Sequence, residues 1–394
     1  MYVSILGRQP EISEAEIERV FGNATPFSEH SSVFDAPKNY LPDIEKLGGS
    51  QKLGQVVLDL KTTDWRRASE EVIKHYREVL ASRESKVTLG ISAYDFDVNP
   101  REVQKIGIIL KTKLKHEGLS LRLVPNQEQA LSTATAHHNK LGLSENKIEL
   151  LVVRGKTSTI VAESIGAQNI TALASRDQGR PKRDAFVGML PPKLAQIMIN
   201  LSLGEKVLDS TSKLSVLDPF CGTGVLLQEA LLMNVGAQGT DLSDKMVDYS
   251  KENLTWITEK YRLPSNWSVA QGDAMTTKWQ KPIDAVATET YLGQPFSAPP
   301  SQKKLDEVRK NCNYIITSFL KNIHNQIEKD TTLCIAVPAW IDKEGYFTHL
   351  PLTNNVDKLG YEVVKLKSTQ PSGKLLYHRE GQVVAREILI LTKK

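Results

Sequence analysis

The segment VLDPFCGTG, residues 216–224, constrains this chain more than any other. An apolar run ends on an acid, Asp218, and passes into a turn holding Gly222 and Gly224, and a helical run over 225–232 begins at once. Glycine permits backbone conformations and close approaches that a Cβ blocks. A helix that starts behind such a turn leaves its first N–H groups free. From there strands and helices alternate. Residues 214–217 read as a buried strand, 238–241 as the end of a second, and 267–271, 283–287 and 333–337 as three more. Runs 245–256 and 303–327 read as helices, and 361–367 with 384–391 as a closing strand pair. Such alternation predicts a largely parallel sheet with helices on both faces.

Three acids fall at successive strand ends: Asp218, then Asp241 seventeen residues beyond Gly224, then Asp273 in QGDA. In an open α/β sheet those ends line the ligand crevice, and a carboxylate at the second can accept both hydroxyls of a ribose. No Gly-Lys-Ser/Thr follows the glycines, which excludes a P-loop. Leu227 stands where a nicotinamide fingerprint needs its third glycine. A nucleoside-type cofactor of another kind is expected.

At 394 residues the chain has room for two or three domains. The first 165 residues mix strands (1–6, 55–60, 86–92) with helices (13–21, 69–80, 100–117), and 147–162 read as two strands around a turn at 154–156. The predicted organisation is an N-terminal α+β region over 1–165 with a further division near 60, a basic linker over 166–190, and an α/β domain over 191–394. The linker carries Arg176, Arg180, Lys182 and Arg183, and residues 191–203 read as an amphipathic helix. A net charge of +4 permits a nucleic-acid partner without demanding one. Three scattered cysteines make neither a disulfide scaffold nor a cysteine zinc site. His137 and His138 have no ligand-spaced partner, so no metal is expected. Without a targeting segment or an apolar run of transmembrane length, a cytoplasmic protein with no membrane partner is expected.

DPFCGTG followed by GTD and GDA resembles motifs I to III of Rossmann-type S-adenosylmethionine-dependent methyltransferases, in the form found in enzymes of nucleic-acid amino groups. Residues 176–201 resemble the opening of the catalytic domain in THUMP-domain tRNA guanine methyltransferases of the guanosine-10 type, and 131–142 the end of their THUMP domain. The resemblance runs from about residue 60 to the C-terminus. It implies a Rossmann-like methyltransferase domain behind a THUMP-like RNA-binding region, with S-adenosylmethionine as cofactor and tRNA as partner. Carried over by position, Asp218, Phe220, Gly222 and Gly224 would frame the methionine part, Asp241 the ribose, and Asp273 with Ala274 the adenine edge. Methyl transfer to the 2-amino group of a guanosine in tRNA is the implied activity, with phosphate contacts from Arg176, Arg180, Lys182 and Arg183.

The fourth motif departs from that family. Where D/N-P-P-Y is usual, this chain has Thr288-Glu289-Thr290-Tyr291-Leu292-Gly293. Aligning the acid assigns the amine acceptor to Glu289, with Tyr291 displaced by one as the base-stacking residue. Aligning the aromatic puts Thr288 first and Tyr291 last. Both prolines are missing either way. A methyltransferase of a different nucleic-acid atom or substrate and a non-catalytic RNA-binding protein therefore stay open as alternatives, and so does an accessory subunit.

Overall fold

The computed structural model describes all residues except 84, 185–189, 210 and 370–372, so part of the stretch 176–201 lies outside the described residues. The chain divides into two compact units, residues 1–17 with 23–172 and residues 18–22 with 173–394.

Among its described residues the first unit is built on an eight-stranded mixed sheet. The strand Ser50–Leu60 pairs with Tyr2–Leu6 on one side and Thr159–Ala167 on the other, so one sheet continues across residue 60 and the expected division there is absent. An eleven-residue strand has enough backbone to serve both neighbours. The helices Trp65–Ala81 and Pro100–His116 cover part of this sheet with apolar residues at helical spacing, such as Val72, Tyr76 and Leu80, and Val103, Ile106 and Leu110. Asn99 and Glu102 form a capping box at the start of the second of these helices. Its outer face exposes Arg101, Lys111, Lys113 and Lys115, with Lys105 beside them.

The second unit carries the expected α/β sheet. Its strands stand in the order Trp267–Gln271, Gly236–Asp241, Ser215–Asp218, Ala285–Glu289, Thr332–Ile341, Val384–Lys393 and Tyr361–Val363. The first five are parallel. Val384–Lys393 runs antiparallel to Thr332–Ile341 and takes Tyr361–Val363 beside it, which bears out the closing pair. From Ser215–Asp218 the chain builds outward in one direction, then crosses back to Ala285–Glu289 on its other side. Order reverses between these two strands, and there a crevice must open.

Both faces of the sheet are covered. Helix Val225–Leu232, VLLQEALL, is apolar nearly all round and buried along almost its whole length, as a helix enclosed between neighbours must be. Gln302–His324 lays Leu305, Val308, Cys312, Ile316 and Phe319 on the core at three- and four-residue spacing. Trp340, 1% exposed, belongs to that core. The stretch expected to be a linker holds a helix, Ile170–Gly179. Among the described residues, no helix is long and apolar enough to cross a membrane.

Candidate active site

A crevice of about 830 Å³ lies at the carboxyl ends of the second unit's strands, where their order reverses, within the size range of small-molecule sites. The glycine turn forms its floor. Gly222 has φ 51° and Gly224, the residue capping helix Val225–Leu232, has φ 79°. A Cβ on Gly224 would also meet the Ser250 hydroxyl at 2.9 Å, so glycine is needed there for conformation and for space.

The three acids arrive as the spacing predicts. The Asp241 carboxylate accepts the Gly222 N–H on Oδ2 at 2.9 Å and the Ser243 N–H on Oδ1 at 2.9 Å. Both oxygens are thereby fixed, and each keeps a further lone pair for a ligand hydroxyl. Burial raises the pKa of Asp241, against those two N–H donors. Asp273 Oδ1 accepts from the Met275 N–H at 2.8 Å, which holds the loop carrying Ala274 and Met275 at the crevice wall. Leu242, 70% exposed, offers an apolar surface beside Asp241. Phe220 also lines the crevice, its ring edge-on to Phe319 with centroids 5.3 Å apart.

Asp218 is 3% exposed and accepts the Thr288 hydroxyl at 2.6 Å and the Phe220 N–H at 3.2 Å. Burial pushes its carboxyl up to about 7, opposed by those two donors and aided by the charges of Asp241 and Glu289. A carboxyl raised in the fold binds its proton more tightly folded than unfolded. Its contribution to stability is complete below the unfolded value near 4 and is lost as pH rises through about 7. Urea denaturation at several pH values should show stability falling across this window, and Asp218→Asn should flatten the decline. A decline of equal size in Asp218→Asn would assign it to other groups.

The fourth strand, expected over 283–287, runs Ala285–Glu289 and so places Glu289 in the ladder, opposite Ala336. Glu289 faces the crevice, and Arg386 Nε donates to its Oε1. Tyr291 also lines the crevice and is 42% exposed. Thr288 differs from expectation: it is fully buried, and its hydroxyl is engaged by Asp218. It supports Asp218 and has no access to an acceptor.

The basic cluster needs a larger correction. The Arg176 guanidinium makes two bonds to Glu229, at 2.8 and 3.0 Å, with side chains 7% and 1% exposed. Arg180 is likewise buried and pairs with Asp177 at 2.5 Å. Neither is placed to meet a phosphate, because burying a guanidinium requires a partner inside the protein. Lys182 is half-buried, 3.3 Å from Glu252 and over the Tyr249 ring, and only Arg183 of the four is exposed. Sequence reasoning missed Asp184, which pairs with Lys245 at 2.8 Å on the crevice wall, and Arg386. Asp184 was within reach, as an acid inside the very stretch that carries the family resemblance.

Residues 210–373 match the family model described as a methyltransferase domain. Over 356 residues, 87% of this chain and 90% of the relative, the chain is 27% identical to a tRNA (guanine(10)-N2)-dimethyltransferase of Methanothermobacter thermautotrophicus. It is 33% identical to a protein of the same name from Pyrococcus abyssi over 156 residues, 39% of this chain and 40% of that one. In fold it is similar to TrmN from Thermus thermophilus, with a TM-score of 0.51 at 13% identity, covering 100% of this chain and 99% of the other. The family resemblance read from the motifs is thus borne out. Residues 210–373 of the second unit are a methyltransferase domain built on a Rossmann-like sheet.

Proposed function

We propose, from the premise that residues 210–373 are a methyltransferase domain, that this protein transfers a methyl group from S-adenosylmethionine to the 2-amino group of a guanosine in tRNA. The observation that carries the reading is a carboxylate, Glu289, facing the same crevice as the acids suited to the cofactor. The names of the relatives supply the acceptor. A cytoplasmic location and a THUMP-like role for residues 1–165 belong to the proposal. Arg183 and the exposed basic face of helix Pro100–His116 are the phosphate contacts assigned by it, in place of Arg176 and Arg180.

The donor set fits the cofactor. Asp241 would hold the ribose hydroxyls and Asp273 with Ala274 the adenine edge. Asp218, Phe220, Gly222 and Gly224 would surround the methionine part. S-adenosylmethionine brings a methyl group already activated on a sulfonium, so the protein's task is chiefly alignment. Glu289 accepts a hydrogen bond from the target amine, turns its lone pair toward the crevice and receives the proton that the amine gives up. Tyr291 packs against the base. A base paired in folded tRNA must be swung out to arrive there.

Glu289→Gln keeps the size and one acceptor but loses the charge. Single-turnover methylation of unmodified tRNA should slow by about 10–100-fold, with cofactor affinity nearly unchanged. Glu289→Ala should be slower still, Tyr291→Phe mild and Tyr291→Ala severe. Full activity in Glu289→Ala would remove that residue from the reaction. Mass spectrometry of the product nucleosides reads the acceptor atom and the number of methyl groups directly. A methyl group on another atom would favour the alternative that the missing prolines suggest, and wild-type protein that methylates no tRNA would favour a binding protein or a missing subunit.

A further inference from the structure

We infer that Arg386 is a positioning residue for methyl transfer, a clamp that fixes the carboxylate of Glu289 so that one oxygen is held and the other is presented to the acceptor amine. The inference rests on the proposed role of Glu289.

The sheet itself brings the two together. Glu289 ends the fourth strand opposite Ala336, Ala336 stands opposite Ile388 on the antiparallel closing strand, and Arg386 lies two residues further along that strand, opposite Pro338. Residues two apart on a strand share a face, so Glu289 and Arg386 project to the same side of the sheet across the intervening strand. There Arg386 Nε donates to Glu289 Oε1, with side chains 11% and 17% exposed. Among the described residues, no other hydrogen bond engages the Glu289 carboxylate, and its second oxygen stays open. The ring of Tyr377, on the short strand Leu375–Tyr377 that also pairs with Val384–Lys393, lies 5.9 Å from the Arg386 guanidinium carbon and limits its movement. Tyr377 is held in turn by Arg379, whose Nε donates to the phenol oxygen at 3.2 Å.

The clamp answers a problem set by the fourth motif. Glutamate is one methylene longer than the usual aspartate or asparagine and has one more torsion to fix, and neither proline of the usual motif is present to stiffen the strand end. A carboxylate that samples several rotamers aligns the amine only part of the time. An arginine is suited to remove that freedom, since its planar fork holds a carboxylate with directed N–H groups. The arrangement also explains why a nearly buried glutamate is tolerated at the crevice. Its charge is partnered from behind and remains open in front.

The test is a double-mutant cycle on the full-length protein, with single-turnover methylation of unmodified tRNA as readout. Arg386→Gln should lower the rate by about 10–100-fold in the wild-type background and by less than about threefold when Glu289 is already Gln, because the clamp then has no carboxylate to hold. Arg386→Lys, which keeps the charge without the fork, should recover part of the loss. S-adenosylmethionine affinity, measured by calorimetry, and the melting temperature should stay near wild type in Arg386→Lys. A merely structural arginine would instead cost the same factor in both backgrounds, and that result overturns the clamp while leaving the proposed function standing. Wild-type protein that methylates no tRNA overturns both. Should Arg386→Gln fail to fold, the cycle is run with Arg386→Lys, and equal losses in the two backgrounds again overturn the clamp.

Discussion

Arg176→Ala is expected to destabilise the methyltransferase unit by about 3–5 kcal/mol, the usual cost of removing one partner from a buried ion pair. Glu229 lies in the middle of helix Val225–Leu232 and is 1% exposed, so without Arg176 its carboxylate has no water to turn to. Burial already pushes the Glu229 carboxyl upward, and the Arg176 charge opposes that rise. In the variant the group must take up a proton or the helix must shift. This helix begins at the glycine turn, so loosening it loosens the crevice floor. Urea denaturation measures the loss. The informative partner is the double variant Arg176→Met with Glu229→Leu, which removes both charges and should recover most of the stability, because an apolar pair of similar volume satisfies the site without desolvation. Wild-type stability in Arg176→Ala would mean that the guanidinium is free after all, and would restore it as a candidate for phosphate contact.

Asp241→Ala should weaken S-adenosylmethionine binding by about a hundredfold to ten-thousandfold. Two charge-assisted hydrogen bonds to the ribose hydroxyls would be lost, each contributing roughly 1.5–3 kcal/mol. The same change also strips the Gly222 and Ser243 N–H groups of their acceptor, so the glycine turn loses an anchor as well. Asp241→Asn separates the two effects. It retains one carbonyl acceptor for the backbone but cannot accept from both hydroxyls, and it should bind with intermediate affinity. Titration calorimetry with the cofactor reads all three proteins. A dissociation constant unchanged in Asp241→Ala would remove this acid from the binding site.

What the sequence disclosed and what it withheld divide along a physical line. The three crevice acids were legible because each is announced locally, at the end of an apolar strand, with glycines where the chain must turn tightly. The closing strands, the long helix over 302–324 and the helix after the double proline followed from periodicity in the same way. Long-range pairing was not legible. Arg386 meets Glu289 across 97 residues of chain, and Arg176 meets Glu229 across 53. A run of basic residues reads the same whether it faces water or is sewn into the interior by distant acids. One clue did exist: VLLQEALL carries a glutamate in a helix otherwise apolar except for Gln228, and such a charged residue calls for a buried cation somewhere in the chain. Thr288 was misjudged because the fourth strand extends two residues beyond its apolar run, which turned the threonine inward and left the glutamate at the crevice.

The reversal of strand order has an evolutionary corollary. The acids assigned to the cofactor come from the half of the sheet built outward from Ser215–Asp218, while Glu289, Tyr291 and Arg386 come from the half built in the opposite direction. Across the line of reversal the groups meet at few points: the Thr288 hydroxyl on Asp218, the ring of Phe220 against Phe319, and the charge of Glu289 acting on Asp218. Mutation can therefore explore one half with little penalty in the other. The sequence carries the donor-side motifs of the family it resembles and departs from that family's usual acceptor-side signature, and a lineage so arranged can drift toward a new methyl acceptor without first relearning how to bind its methyl donor.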